Sequence, residues 1–145
     1  MNSTYNDDCI YSPAITVFKA DTKFPEPIPP SEWYNVDVIT CAAPNLSVFY
    51  KSSFIGKKEI RSIHLSRSKR ILDIAKSEKE DVLILGAFGC GAFRNPPDIV
   101  SEVWREVLKD YIYDFETIEF AVVSSEERPS KNYTVFRNTF QNGIV

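Results

Sequence analysis

Two β-branched runs, apolar on both faces and separated by an amphipathic stretch, restrict this chain more than any other feature. Val36-Asp37-Val38-Ile39-Thr40-Cys41-Ala42-Ala43 and Asp81-Val82-Leu83-Ile84-Leu85 are nearly continuous in apolar character. A strand with one face in water alternates apolar and polar residues instead, so strands of this kind are expected to be covered on both sides. Between them, from about Ser53 to Lys79, Ile60, Ile63, Ile71, Ile74 and Ala75 recur at helical spacings opposite a face of Lys, Arg, Ser and Glu. A further helix is announced by Asn95 as N-cap, Pro96 at the first helical position and Asp98 in the first turn. Its stripe is Ile99, Val100, Val103, Trp104, Val107, Leu108 and Tyr111. Strands alternating with helices predict an α/β fold with a mostly parallel or mixed sheet.

The rest of the chain fills in that frame. Ala14–Ala20 reads as a short strand, and Phe24-Pro25-Glu26-Pro27-Ile28-Pro29-Pro30 lacks the donors of any regular element, which makes 21–35 a Pro-rich connection. Pro44-Asn45 ends the strand 36–43, and a loop continues through Tyr50. Ile118–Val123 is a further strand, Ser124–Ser130 a polar loop and Asn132–Gln141 a short terminal helix. With 145 residues, 43% hydrophobic and 13% aromatic, one domain over 1–145 is expected, with a polar N-terminal tail over 1–10. A formal charge of -3 and a pI near 5.2 leave no electrostatic footprint for duplex nucleic acid or an anionic membrane. The polar start (Asn2, Ser3, Thr4, Asn6, Asp7, Asp8) lacks the regions of a signal peptide, so a cytoplasmic or more broadly intracellular location, the nucleus included, is expected. Cys9, Cys41 and Cys90 are odd in number, far apart and without C-x-x-C spacing, which predicts reduced thiols and no metal site. No cofactor is expected.

Strand 81–85 runs into Gly86-Ala87-Phe88-Gly89-Cys90-Gly91-Ala92-Phe93-Arg94 and then a helix. Such a turn suits an anion, because glycines let the backbone come close and amides point inward near a helix start. The spacing G-x-x-G-x-G is neither the dinucleotide fingerprint nor a P-loop, and taken alone it equally fits a tight turn with no ligand. Phe88 and Phe93 are large for such a loop and suit covering a sugar or pyrophosphate, and Arg94 stands beside the anionic position.

Val36–Asn45 (VDVITCAAPN), Asp81–Pro96 (DVLILGAFGCGAFRNP) and Tyr133–Phe140 (YTVFRNTF), with Tyr11-Ser12-Pro13 ahead of Val17-Phe18, resemble the second half of the microbial-type poly(ADP-ribose) glycohydrolases of the macrodomain superfamily. The resemblance implies a three-layer α/β/α sandwich, truncated to about four to five strands. It also implies ADP-ribose, or an ADP-ribosylated ligand, at the carboxyl ends of the strands, with Gly86, Ala87, Phe88, Gly89, Cys90, Gly91, Ala92 and Phe93 around the pyrophosphate and distal ribose. Arg94, Asn95 and Asn45 are further candidates, and Phe136 or Phe140 would lie near the adenine. The catalytic signature of that family, three glycines followed by Gln-Glu-Glu, is absent from this chain. Glycosidic cleavage needs a carboxyl group to protonate the leaving oxygen, so the expectation is an ADP-ribose-binding module without catalytic residues of its own. The strands missing with that half leave an open edge, to be covered by a separate polypeptide, by self-association, or by the segment before Ile10 with the Pro-rich stretch. The rival reading is a structural or interaction protein that uses the open edge and binds no nucleotide.

Other residues carry weaker possibilities. Cys90 at a helix entry, with His64 as the only imidazole, suggests a Cys-His hydrolase, against a small thiol packed under the loop. His64 sits on the apolar stripe and reads as a core histidine. Arg67 on the same stripe either snorkels, the expected outcome, or meets a carboxylate or phosphate. Lys57, Lys58, Arg61, Lys69 and Arg70 form a solvated basic face, and Glu126-Glu127 a solvated loop rather than a catalytic pair. Trp33-Tyr34 is either a lid over the second strand or part of a partner surface.

Overall fold

The computed structural model describes residues 6–47 and 55–144. Asn2, Ser3, Thr4, the end of the loop through Tyr50 (48–50) and the expected helix start near Ser53 lie outside them. β1 (Cys9–Val17) and β2 (Tyr34–Cys41) form an antiparallel ribbon, and β3 (Val82–Leu85) and β4 (Thr117–Phe120) a parallel pair. The helices are α1 (Lys57–Glu78), α2 (Pro97–Leu108) and α3 (Lys131–Phe140).

β1 begins at Cys9 rather than Ala14, inside the expected polar tail. Pro13 falls where the register shifts between Ser12 and Ile15. Ala14 has φ 55 and gives its N–H to Asp37 Oδ1 at 2.8 Å. A bulge is one of the few places where a strand tolerates proline. The Pro-rich connection is irregular apart from a Lys19–Pro27 bridge and a 3-10 turn at Pro30–Glu32. Trp33 is half exposed, its edge against Phe18 and its indole N–H on Ile28 O at 3.0 Å.

α1 ends at Lys79, whose left-handed backbone (φ 64) lets its N–H cap Ala75 O and Lys76 O. α2 starts one residue later than the sequence pattern predicts, with Pro96 as N-cap and Pro97 in the first turn. Asn95 is not the cap because its side chain is engaged elsewhere, as described below. In α3 the Ser130 hydroxyl accepts from Tyr133 N–H.

Leu72 and Ala75 of α1, Val100, Val103, Trp104, Val107 and Leu108 of α2, Phe136 of α3, and Leu83 and Leu85 of β3 share one buried cluster. This core covers only one face of β3. Leu83 and Leu85 are each 8% exposed, whereas Val82 and Ile84 are 52% and 62% exposed. Val36 and Val38 of β2 are also exposed. The strands read as buried on both faces are therefore covered on one, because among the described residues no second helical layer lies over them. The four strands likewise stand as two separate pairs rather than one continuous sheet. No helix of the described residues is long and apolar enough to cross a membrane.

Candidate functional site

The glycine loop leaves β3 at its C-terminal end and is stitched both to itself and to the end of β2. Phe88 N–H donates to Gly86 O at 2.9 Å, Cys90 N–H to Ala87 O at 3.0 Å, Asn95 N–H to Gly89 O at 3.1 Å, and Leu46 N–H to Phe93 O at 3.0 Å. Ala87, Gly89, Gly91 and Ala92 keep N–H groups without a protein acceptor among the described residues. Each unmatched amide is a donor looking for a partner.

One side chain holds this arrangement. The Asn95 amide is buried and donates to Pro44 O at 2.8 Å and to Gly89 O at 2.9 Å, so its Oδ1 is left to accept from His64 Nε2 at 2.9 Å. That assignment fixes the imidazole tautomer: the proton is on Nε2, and Nδ1 is a buried lone pair with no partner among the described residues. Burial pushes the His64 pKa below its ordinary value, and Arg67 adds to this against the opposite pull of the Asn95 bond. Phe88 meets the His64 ring edge-on at 5.6 Å. His64 is thus the core histidine expected, with the added task of anchoring the loop to α1.

The glycines differ in why they are glycines. Gly89 has φ +71, and a Cβ there would lie 2.5 Å from Ala43 Cβ and 2.6 Å from Asn95 Nδ2, so both conformation and packing require it. At Gly91 a Cβ would meet nothing within 4 Å, and at Gly86 only Ala121 O at 4.0 Å. The protein itself does not need glycine at those two positions.

Arg67, expected to snorkel, is 1% exposed. Its Nε donates to Asp7 Oδ1 at 3.1 Å and its Nη1 to Ala42 O at 2.6 Å. A guanidinium that deep must be paired, and the segment read as a loose tail supplies the carboxylate. The Asp7 pKa is lowered first by the Ser66 hydroxyl and further by Arg67. Ala42 thus takes a donor from α1 and Pro44 one from Asn95, which ties the segment after β2 to α1 and to the glycine loop.

No protein-family model and no curated protein matches the chain. Solved structures do. A Deinococcus radiodurans poly(ADP-ribose) glycohydrolase, a point mutant in complex with ADP-ribose, superposes with a TM-score of 0.84 at 30% identity, over 97% of this chain and 55% of that one. The Thermomonospora curvata glycohydrolase gives a TM-score of 0.81 at 29% identity, over 96% of this chain and 49% of that one. A structure of the latter with the inhibitor ADP-HPD matches equally, at TM-score 0.81 and 29% identity. The chain has the fold of one half of a microbial poly(ADP-ribose) glycohydrolase. It spans about half the length of these relatives, in keeping with the C-terminal half that its sequence resembles.

Within this glycohydrolase-like half, Gly86, Ala87, Phe88, Gly89, Cys90, Gly91, Ala92, Phe93, Arg94 and Asn95 come together in one loop. Asn45 lies alongside, its Oδ1 accepting from Ser47 N at 3.1 Å and from the Ser47 hydroxyl at 2.6 Å. Phe136 does not join them. It is 3% exposed, with its ring 5.4 Å from that of Phe120, so it serves the core and has no surface left for an adenine. Phe140 is half-buried and stacked on Phe120 at 4.5 Å.

Cys90 is not an activated thiol either. It is half-buried, and burial, with Asp98 adding, pushes its pKa to about 12. The His64 Nε2 that would have served it is committed to Asn95. Glu126 and Glu127 are exposed in the loop after β4, and the basic face of α1 is solvated, with Arg61 paired to Glu106. No cluster of metal-ligating side chains occurs among the described residues.

Sequence reasoning missed Asn132, whose amide donates to Cys90 O at 3.4 Å and brings the start of α3 to the loop. It also missed the end of β2 as the floor of the site. Pro44 stood out only as a strand stop, and Asn45 was a candidate beside the ligand rather than part of a floor.

Proposed function

We propose that the chain binds ADP-ribose, or a closely related nucleotide diphosphate, with the diphosphate on the amides of 87–92. The observation that carries this reading is the pair Gly86 and Gly91, glycines that packing does not require, in a loop that leaves four N–H groups unmatched. Space outside the protein is then the reason for the missing side chains, and an anion is what such donors accept. The ligand in the Deinococcus radiodurans complex is of this chemistry. Phe88, Phe93, Arg94 and Asn45 border the same position, and Phe140 remains the aromatic candidate for the base. ADP-ribosylated proteins present the same group.

The chain acts as a binding module and does not cleave its ligand alone, since its sequence lacks the three glycines and Gln-Glu-Glu that carry the cleaving carboxyl group in the family it resembles. It works in the cytoplasm or nucleus, where its thiols remain reduced. A second reading, an interaction protein that binds no nucleotide, draws on the exposed Val36, Val38, Val82 and Ile84.

Calorimetric titration of ADP-ribose decides between them. The folded wild-type chain should bind saturably, and Gly91→Val should retain the fold yet weaken binding tenfold or more, which is about 1.4 kcal/mol. Gly89→Val would confound the two, because its side chain collides with Ala43 and Asn95 whether or not a ligand is present. Absence of binding by a folded chain, or unchanged binding by Gly91→Val, would sink the proposal.

A further inference from the structure

The ribbon and the parallel pair face each other across a groove of about 1040 Å³. Its long walls are β2 and β3, represented by Val36, Ile39 and Cys41 on one side and Val82 and Ile84 on the other, with Trp104 also lining it. Among the described residues each of these strands is paired on one edge only: β2 with β1, and β3 with β4. Alternate N–H and C=O groups of the opposite edges therefore point into the groove without a strand to receive them. The sequence of both strands is that of buried ones, yet Val82 and Ile84 are more than half exposed. Trp104, almost wholly buried, has an indole N–H without an acceptor among the described residues.

We propose that this groove receives one extended strand from a polypeptide equivalent to the half that the glycohydrolases have and this chain does not match. The strand would bond to β2 on one side and β3 on the other, joining the two pairs into a single five-stranded sheet. A helix cannot do this, because its own backbone groups are satisfied internally, whereas an extended segment offers donors and acceptors on both edges. The occupant is identified by the superposition. The ribbon and the pair are placed relative to each other as in a chain of which 55% is matched, so their separation is that of a fold containing nearly twice as much polypeptide. β3 has four residues, which sets the strand at about four to six residues. Its helix-facing positions are apolar, to pack on Trp104 and Ile71, and one of its polar groups takes the Trp104 N–H. This docking is independent of ADP-ribose binding.

The test is hydrogen exchange on the folded 145-residue chain, without nucleotide. It is recorded alone, then with the unmatched part of the Deinococcus radiodurans glycohydrolase as a separate polypeptide, then with that polypeptide fused through a flexible linker at roughly millimolar effective concentration. The expected result is a one-to-one complex, or its fused equivalent, in which amides of 34–41 and 82–85 slow together by tenfold or more. Ile84→Lys and Val36→Lys should each weaken that protection at least tenfold, and Val123→Lys, exposed outside the groove, should not. Protection of neither strand, or of only one, even in the fusion would overturn the proposal. So would slowing of the same amides by self-association of the chain alone, which would assign the groove to a second copy.

Discussion

The two faces of β3 are made from the same four residues and have opposite fates. Leu83 and Leu85 lie under α1 and α2 in a close-packed core, while Val82 and Ile84, no less apolar, look onto open space. The first face is complete within this chain. The second is written in residues that only a neighbour would bury, and exposed apolar surface beside an unpaired edge is what proteins ordinarily avoid. The contrast teaches that stability and assembly are allotted to different sides of one strand.

Substitutions can break that contrast if it is wrong. The largest effect is expected at the closed face. Leu72→Ala, at a fully buried position, should cost about 3 kcal/mol in urea unfolding, and Ile84→Thr no more than about 0.5 kcal/mol. Comparable losses would mean that the open face is already covered.

Next come the loop glycines. Gly89→Ala combines a positive φ with contacts at 2.5 and 2.6 Å and should lose about 2 to 3 kcal/mol, whereas Gly91→Ala should change the midpoint by less than about 0.5 kcal/mol. Equal effects at the two sites would remove the distinction between a glycine kept for packing and one kept for space.

The smallest effect is set by pH. His64 is the only histidine, and its folded-state pKa is lowered by burial. The unfolded chain thus takes up the proton first, and stability falls as the pH drops below about 6.5, by no more than about 1.4 kcal/mol per unit. Carboxylate effects enter lower, since Asp7 is depressed and its contribution is lost only in the acid range. His64→Gln should flatten the slope between pH 7 and 5.5, and an unchanged slope would remove His64 as its source.

Much of the architecture was legible because it rests on local chemistry. The apolar runs, the Pro-rich break and the glycine-to-helix transition put β2, β3, α1, α2 and the loop in place, and the resemblance named the matching fold. What escaped depends on contacts remote in sequence. Asn95 has the composition of an N-cap, but three partners from three segments outbid that local role. Arg67 was read as snorkelling because its carboxylate lies 60 residues away in the chain. The first part of β1 lay inside the segment read as a polar tail, and nothing in the sequence alone announces the bulge between Ser12 and Ile15 that lets Pro13 sit in a strand. Phe136 was a candidate for the adenine side through the resemblance, yet it is 3% exposed, with its ring edge against that of Phe120.

The Asn95 node has a practical side. A single imidazole, locked in one tautomer and joined through one amide to Gly89 O, gives the chain one set of histidine ring resonances with no overlap from others. Any ligand that moves the loop must disturb that bond, and the magnetic signal of His64 then reports occupancy from inside the core, without a label and without altering the surface where the ligand sits.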